Sequence, residues 1–294
     1  MLTILGCGAI GATIAHHCYT NALPFNTVIR GVSASFSQNS RLKFTDINQR
    51  EFNLSLPPAN SPITNLLITV KAYQVEDAIK QLLKQQTIVD NASIVLLHNG
   101  MGTKHIVQSL LPNAKVLSAT TTYAAFARNK LDVIQTGIGE VLLECNNAKS
   151  DSLAQLVESW PQASWQPNIQ TILWQKLFIN CAINPLTAIY QIQNGRLTEQ
   201  FFTGKVKALL DEINLVAQLV CPQLTIDKIE QAVFDIINKT ADNFSSMNRD
   251  VASKRQTEID FITGHLLNIA ARYALKLPVN QALYQQVKQL EAQY

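Results

Sequence analysis

A short apolar run, Leu2–Leu5, stops at Gly6-Cys7-Gly8-Ala9-Ile10-Gly11, and a helical pattern follows from Ala9 to Tyr19. Strand, G-x-G-x-x-G and helix in that order form the context in which this glycine spacing holds a dinucleotide. Gly6 permits the tight turn, Gly8 lets a pyrophosphate approach the backbone, and Gly11 lets helix and strand pack closely. The phosphates then rest on unpaired N–H groups at a helix N-terminus. The competing reading is a glycine turn in an unrelated fold. The flanking strand and helix argue against it.

The second strand is expected at Thr27–Arg30. An acidic residue near its end, about 20 residues on, would grip the ribose hydroxyls of NAD. Arg30 stands there instead, nineteen positions past Gly11, and no acid follows until Asp46. A guanidinium binds a 2′-phosphate in a bidentate fork, whereas a carboxylate repels it. The expected cofactor is therefore NADPH. The alternative is a solvated surface arginine. Lys71, just past the buried run Leu66–Val70, is a second candidate for the phosphate or ribose, unless it is a plain surface lysine.

Further apolar strands at Ser93–Leu97 and Lys115–Ala119 alternate with helices at Glu76–Gln85 and Lys104–Leu111. That alternation predicts an α/β domain with a mostly parallel sheet covered on both faces. Leu131–Gln135 and Glu140–Glu144 read as an antiparallel extension. After about Trp165 the strand signal stops. Helical patterns then cover Ile169–Ile183, Phe202–Val220, Thr225–Asn243, Ser246–Ala274 and Asn280–Ala292. The polar stretch between Pro161 and Pro167 reads as a linker, giving domains 1–166 and 167–294.

The helix from Ile169 is apolar on nearly every face, except for Lys176, Asn180 and Asn184. Four-residue steps drift by only about 40°, so these three share one stripe. Pro185 is expected to break the helix there. A buried lysine loses pKa and becomes a usable acid near neutrality. A lysine snorkelling at a surface is the alternative. The two asparagines in line with it favour a small polar ligand. Downstream, Asn243, Ser246, Asp250, Lys254 and Glu258 recur at helical steps. They read either as a solvated face or as a ligand-binding one, in which Asn243 and Ser246 take a substrate carboxylate and Glu258 approaches the lysine.

Composition excludes several classes. A net charge of +3 with scattered Lys and Arg gives no nucleic-acid or membrane-surface patch. No run reaches the ~18 apolar residues of a membrane span. The five cysteines at 7, 18, 145, 181 and 221 form no C-x-x-C pair and no metal spacing. They fit a reducing cytoplasm, and the N-terminus reads as a strand rather than a signal peptide. No metal is expected.

Taken together, these residues resemble the ketopantoate reductase (2-dehydropantoate 2-reductase) family. The marks are the glycine turn, Arg30, Lys71-Ala72, His98-Asn99-Gly100-Met101-Gly102 and Thr120-Thr121-Thr122. Trp174-Gln175-Lys176-Leu177 with Asn180, Ile183-Asn184-Pro185-Leu186-Thr187-Ala188, Ser245-Ser246-Met247 and Thr257-Glu258-Ile259-Asp260 complete them. The resemblance implies a Rossmann-type domain joined to an all-α domain of the 6-phosphogluconate dehydrogenase C-terminal type. It implies NADPH-dependent reduction of 2-dehydropantoate to (R)-pantoate, toward pantothenate and coenzyme A, by a monomer or homodimer. By motif, Lys176 would donate the proton and Glu258 would sit beside it and the nicotinamide ribose. Asn99 would touch cofactor and substrate, and Ala125 the cofactor by its backbone. Asn180, Asn184, Asn194, Ser246 and the nearby Asn243 would bind substrate. Arg249, Lys254 and Arg255 depart from the family's usual residues, which bears on substrate preference. The rival readings are a related NADP-dependent 2-oxo acid or β-hydroxyacid-type dehydrogenase and a non-catalytic NADPH-binding sensor.

Overall fold

Leu2, Ile4 and Leu5 are all buried, so the first strand needs cover on both of its faces. The computed structural model, which describes residues 1–29, 40–60, 62–145 and 151–294, supplies that cover. The chain divides into two compact units, Met1–His98 with Thr103–Ile169 and Asn99–Gly102 with Gln170–Tyr294.

The first unit runs β1 (Leu2–Leu5), α1 (Ala9–Thr20), β2 (Phe25–Val28), β3 (Ser40–Thr45), β4 (Glu51–Leu56) and β5 (Ile63–Ile68). It continues with α2 (Val75–Leu83), β6 (Ile88–Leu96), α3 (Thr103–Leu110), β7 (Lys115–Thr121) and β8 (Ala124–Asn129). β9 (Asp132–Gly137), β10 (Val141–Glu144), α4 (Asp151–Ser159) and β11 (Ala163–Gln166) end it. The main sheet has the order β11-β10-β7-β6-β5-β1-β2. It is parallel except where β10 meets β7. A smaller sheet, β4-β3-β9-β8, lies against α1, whose His16 stacks on Phe44 at 4.3 Å. One core joins Ile4, Ala12 and Ala15 to Leu42, Phe44 and Leu54 of the small sheet. On the other face Leu5, Leu66 and Ile68 pack against Val75, Ile79 and Val107 of α2 and α3. Each such side chain, fully buried, contributes about 1.5–3 kcal/mol.

The second unit is helical throughout its described elements: α5 (Ile169–Tyr190), α6 (Gln200–Val220), α7 (Ile226–Lys239), α8 (Ser246–Ala252), α9 (Thr263–Arg272) and α10 (Pro278–Glu291). Its core gathers Phe178, Cys181, Leu209, Ile213, Val233 and Leu266. The buried Glu212 carboxylate accepts the N–H groups of Val279 and Asn280 at 2.8 and 2.9 Å, so α6 holds the N-terminus of α10. Among the described residues, no helix is long and apolar enough to cross a membrane.

Five expectations need correction. Leu131–Gln135 and Glu140–Glu144 are both antiparallel to a neighbour, as expected, but not as one extension: the first forms β9 against β8 in the small sheet, and the second forms β10 against β7 in the main sheet. The stretch between Pro161 and Pro167 is not a linker but contains β11, parallel to β10. Pro185 does not break its helix: α5 runs through it to Tyr190, because Cys181, Ala182, Leu186 and Ala188 are buried on either side. The expected helix Ser246–Ala274 is interrupted between α8 and α9. Its Ser253-Lys254-Arg255-Gln256 segment carries nothing apolar to bury, and Lys254 turns left-handed at φ +50°. The second strand also lies two residues early, ending at Val28.

Candidate active site

The glycine turn of the first unit is locked to the end of β5. Gly6 has φ +95°, and a Cβ there would fall 2.6 Å from Val70 Cγ1. A Cβ on Gly11 would fall 2.1 Å from the Gly6 carbonyl oxygen. The Thr69 hydroxyl donates to that same carbonyl at 2.7 Å. Thr69 and Val70 are structural partners of the turn that the sequence reading missed. Gly8 behaves differently: it is exposed, and among the described residues a Cβ there would meet nothing within 4 Å. It caps α1 with no side-chain acceptor, and the first turn, with Ala9 and Ile10, holds no acid. N–H groups at such a helix start can take an anion. Burial pushes the Cys7 thiol up to about 12, so it packs rather than reacts.

Lys71 lies one residue beyond Val70, beside the turn, and is half-buried. Ala125 is half-buried in β8, where the register against β9 shifts. Arg30 lies outside the described residues. The missing Cβ at Gly8, the uncapped helix end and the lack of a first-turn acid fit a dinucleotide's phosphates.

In the second unit, Lys176, Asn180 and Asn184 share one stripe of α5. Lys176 keeps some solvent contact, yet burial lowers its amine to about 8, against an opposing pull from the Glu258 carboxylate. Glu258 is buried and opens a 3₁₀ turn, Ile259–Phe261. Asn99 Nδ2 donates to Glu258 Oε2 at 3.4 Å. The Asn99–Gly102 segment packs with the helices because Met101 N–H donates to the Phe261 carbonyl at 2.9 Å. Gly100 permits that approach, since a Cβ there would fall 2.5 Å from the same oxygen. Lys176, Glu258 and Asn99 thus form one cluster from three distant stretches of chain.

The other candidates group around the C-terminal half of α5. Asn194 is buried, its N–H donates to the Asn243 carbonyl and its Nδ2 to Thr240 Oγ1, both at 2.9 Å. Its Oδ1 is buried and finds no hydrogen-bond partner among the described residues. Asn243 is exposed, as is Ser246 at the start of α8. That helix is pinned by residues the sequence reading did not single out for this purpose. Ser245 Oγ accepts Asn248 N–H at 3.1 Å and lies 2.7 Å from Thr187 Oγ1. Asn248 Nδ2 donates to the Thr187 carbonyl at 2.6 Å. The expected common face from Asn243 to Glu258 does not exist as one helical stripe, because the chain turns after Ala252. Arg255 lies in that turn and is paired with the buried Asp250 at 3.4 Å.

The family model described as ketopantoate reductase PanE/ApbA matches residues 2–148, and its C-terminal counterpart matches residues 168–291. A 2-dehydropantoate 2-reductase of Vibrio cholerae is 41% identical over 233 residues, 77% of each chain. One of Salmonella typhimurium is 33% identical over 302 aligned positions, covering 100% of this chain and 96% of that one. A solved PanE/ApbA family ketopantoate reductase from Ralstonia eutropha shares the fold, with a TM-score of 0.85 at 22% identity over 100% of this chain and 99% of that one. With matches across both units, the chain belongs to the ketopantoate reductase PanE/ApbA family.

Proposed function

We propose that this chain reduces 2-dehydropantoate to (R)-pantoate with NADPH, using Lys176 as the proton donor. The observation that carries the reading is the cluster of Lys176, Glu258 and Asn99, with a lysine amine lowered to about 8. An amine in that range is still protonated at neutral pH and gives its proton up readily. Glu258 offsets the cost of burying the charge and keeps the proton on Lys176 until it is needed. A bound nicotinamide supplies the hydride that adds to the C2 ketone. Lys176 Nζ meets the negative charge growing on the carbonyl oxygen and protonates it, completing the alcohol. Asn180, Asn184, Asn194 and Ser246 hydrogen-bond the hydroxyl and carboxylate ends, with Asn243 close by, so the ketone is held in one orientation. Gly6 to Gly11 and Lys71 would hold the phosphates, with Asn99 and Ala125 toward the nicotinamide end.

The preference for NADPH over NADH rests on Arg30, with Lys71 as its companion. Arg30→Asp should reverse or abolish that preference in kcat/KM, because a carboxylate repels the 2′-phosphate. Unchanged selectivity would remove Arg30 from the assignment. The substrate is tested with a panel of 2-oxo acids and NADPH. The expected outcome is the highest kcat/KM for 2-dehydropantoate. A clear preference for another 2-oxo acid would indicate a related dehydrogenase, and binding without any reduction would indicate a sensor.

A further inference from the structure

The Glu258 carbonyl accepts the N–H groups of Phe261 and Ile262 at 3.0 and 3.1 Å, which ties it to the turn after it but not to the rest of the helical unit. Glu258 follows the exposed turn 253–256, and its side chain caps nothing in the 3₁₀ turn it opens. Support comes from the end of the chain, on α10. The Glu291 Oε1 atom accepts both the N–H and the hydroxyl of buried Thr257, each at 2.7 Å. Thr257 Oγ1 in turn accepts the Ile259 N–H at 3.2 Å. On the other side, Lys288 Nζ donates to Asp260 at 3.0 Å and Tyr284 donates its hydroxyl to Asp260 at 2.7 Å. Lys288 also pairs with Glu291 at 2.7 Å, which joins the two grips. Gly264 leaves room for this packing, since a Cβ there would come within 3.3 Å of the Tyr284 ring.

We propose that α10 positions Glu258 for the reaction: Glu291 fixes the residue before it, and Lys288 with Tyr284 fixes the residue two after it. The proposal rests on the role given above to Glu258. Three features support it. Both hydrogen bonds accepted by Glu291 Oε1 come from Thr257, the immediate neighbour of Glu258. The grip uses a charged acceptor, which makes stronger hydrogen bonds than a neutral one. Asn99, the group that donates to the Glu258 carboxylate, can hold it only if the backbone beneath does not drift. Thr257, Tyr284, Lys288 and Glu291 are positioning residues, since none of them needs to touch the substrate.

The test is steady-state kinetics on the full chain with NADPH and 2-dehydropantoate. Thr257→Val keeps the shape and loses the hydroxyl, and should lower kcat roughly 10- to 100-fold with both KM values within about twofold. Thr257→Ser restores the donor and should restore kcat. In a Glu258→Gln background, Thr257→Val should cost nothing more, because it acts through the group already removed. Lys288→Met, at a partly exposed position, should lower kcat in the same way and carries the test if Thr257→Val folds poorly. Unchanged kcat in both Thr257→Val and Lys288→Met, or an equal loss with and without Glu258, would overturn the proposal. If Glu258→Gln alone keeps wild-type kcat, the reading of Glu258 fails and the proposal falls with it. If Glu258→Gln is slow but Thr257→Val and Lys288→Met are not, only the positioning role fails.

Discussion

Lys176→Ala should lower kcat for 2-oxo acid reduction by about 10²–10⁴, the range that a positioned general acid supplies. The Kd for NADPH should stay within about twofold, because the glycine turn belongs to a different compact unit of the chain. The loss has two parts in the proposed mechanism. No group remains to neutralise the growing alkoxide, and the buried Glu258 carboxylate loses its positive neighbour. Lys176→Arg separates charge from acidity. A guanidinium keeps the positive charge but does not release a proton in this pH range. It should therefore leave most of the loss in place. Near-normal turnover in Lys176→Ala would remove the lysine from the chemistry.

The glycine turn offers the second large effect, in the form of a contrast. Gly11→Ala would drive a Cβ to 2.1 Å from the Gly6 carbonyl oxygen, so the turn itself must shift. A loss of about 1–3 kcal/mol in urea unfolding is expected from such overpacking, with cofactor binding lost alongside. Gly8→Asp meets no such obstacle among the described residues, which leave the space open, and φ is −75°. Aspartate is a good N-cap, so stability should hold or rise by a few tenths of a kcal/mol. Its carboxylate would face the cofactor phosphates, and NADPH affinity should fall by roughly 100-fold or more. A Gly8→Asp protein that binds NADPH normally would place the phosphates elsewhere.

Much of this was legible in the residues. The Gly6–Gly11 spacing implies a strand before it and a helix after it, and β1 and α1 lie there. The Lys176, Asn180 and Asn184 stripe is a matter of helical arithmetic, and α5 holds it. What escaped depends on tertiary contacts. Phe52-Asn53-Leu54-Ser55-Leu56 alternates as β4 does, but the small sheet it joins is built from segments far apart in sequence. Pro185 obeys local rules only when a helix is free to bend, and the buried residues around it prevent that. The helical spacing from Asn243 to Glu258 was coincidental: the chain leaves the helix after Ala252, and Glu258 comes to Lys176 by another path. The hydrogen bonds from Thr257 to the Glu291 carboxylate span 34 residues and leave no periodic trace.

Turnover of NADPH and 2-dehydropantoate, followed from neutral pH upward, tests the central claim most directly. Lys176 must be protonated to act, and burial lowers its amine to about 8 against the pull of Glu258. NADPH should be consumed near neutrality, and kcat should fall as pH rises through about 8, tenfold per pH unit beyond it. No consumption with this substrate, or a kcat that stays level well above that pH, would contradict the claim.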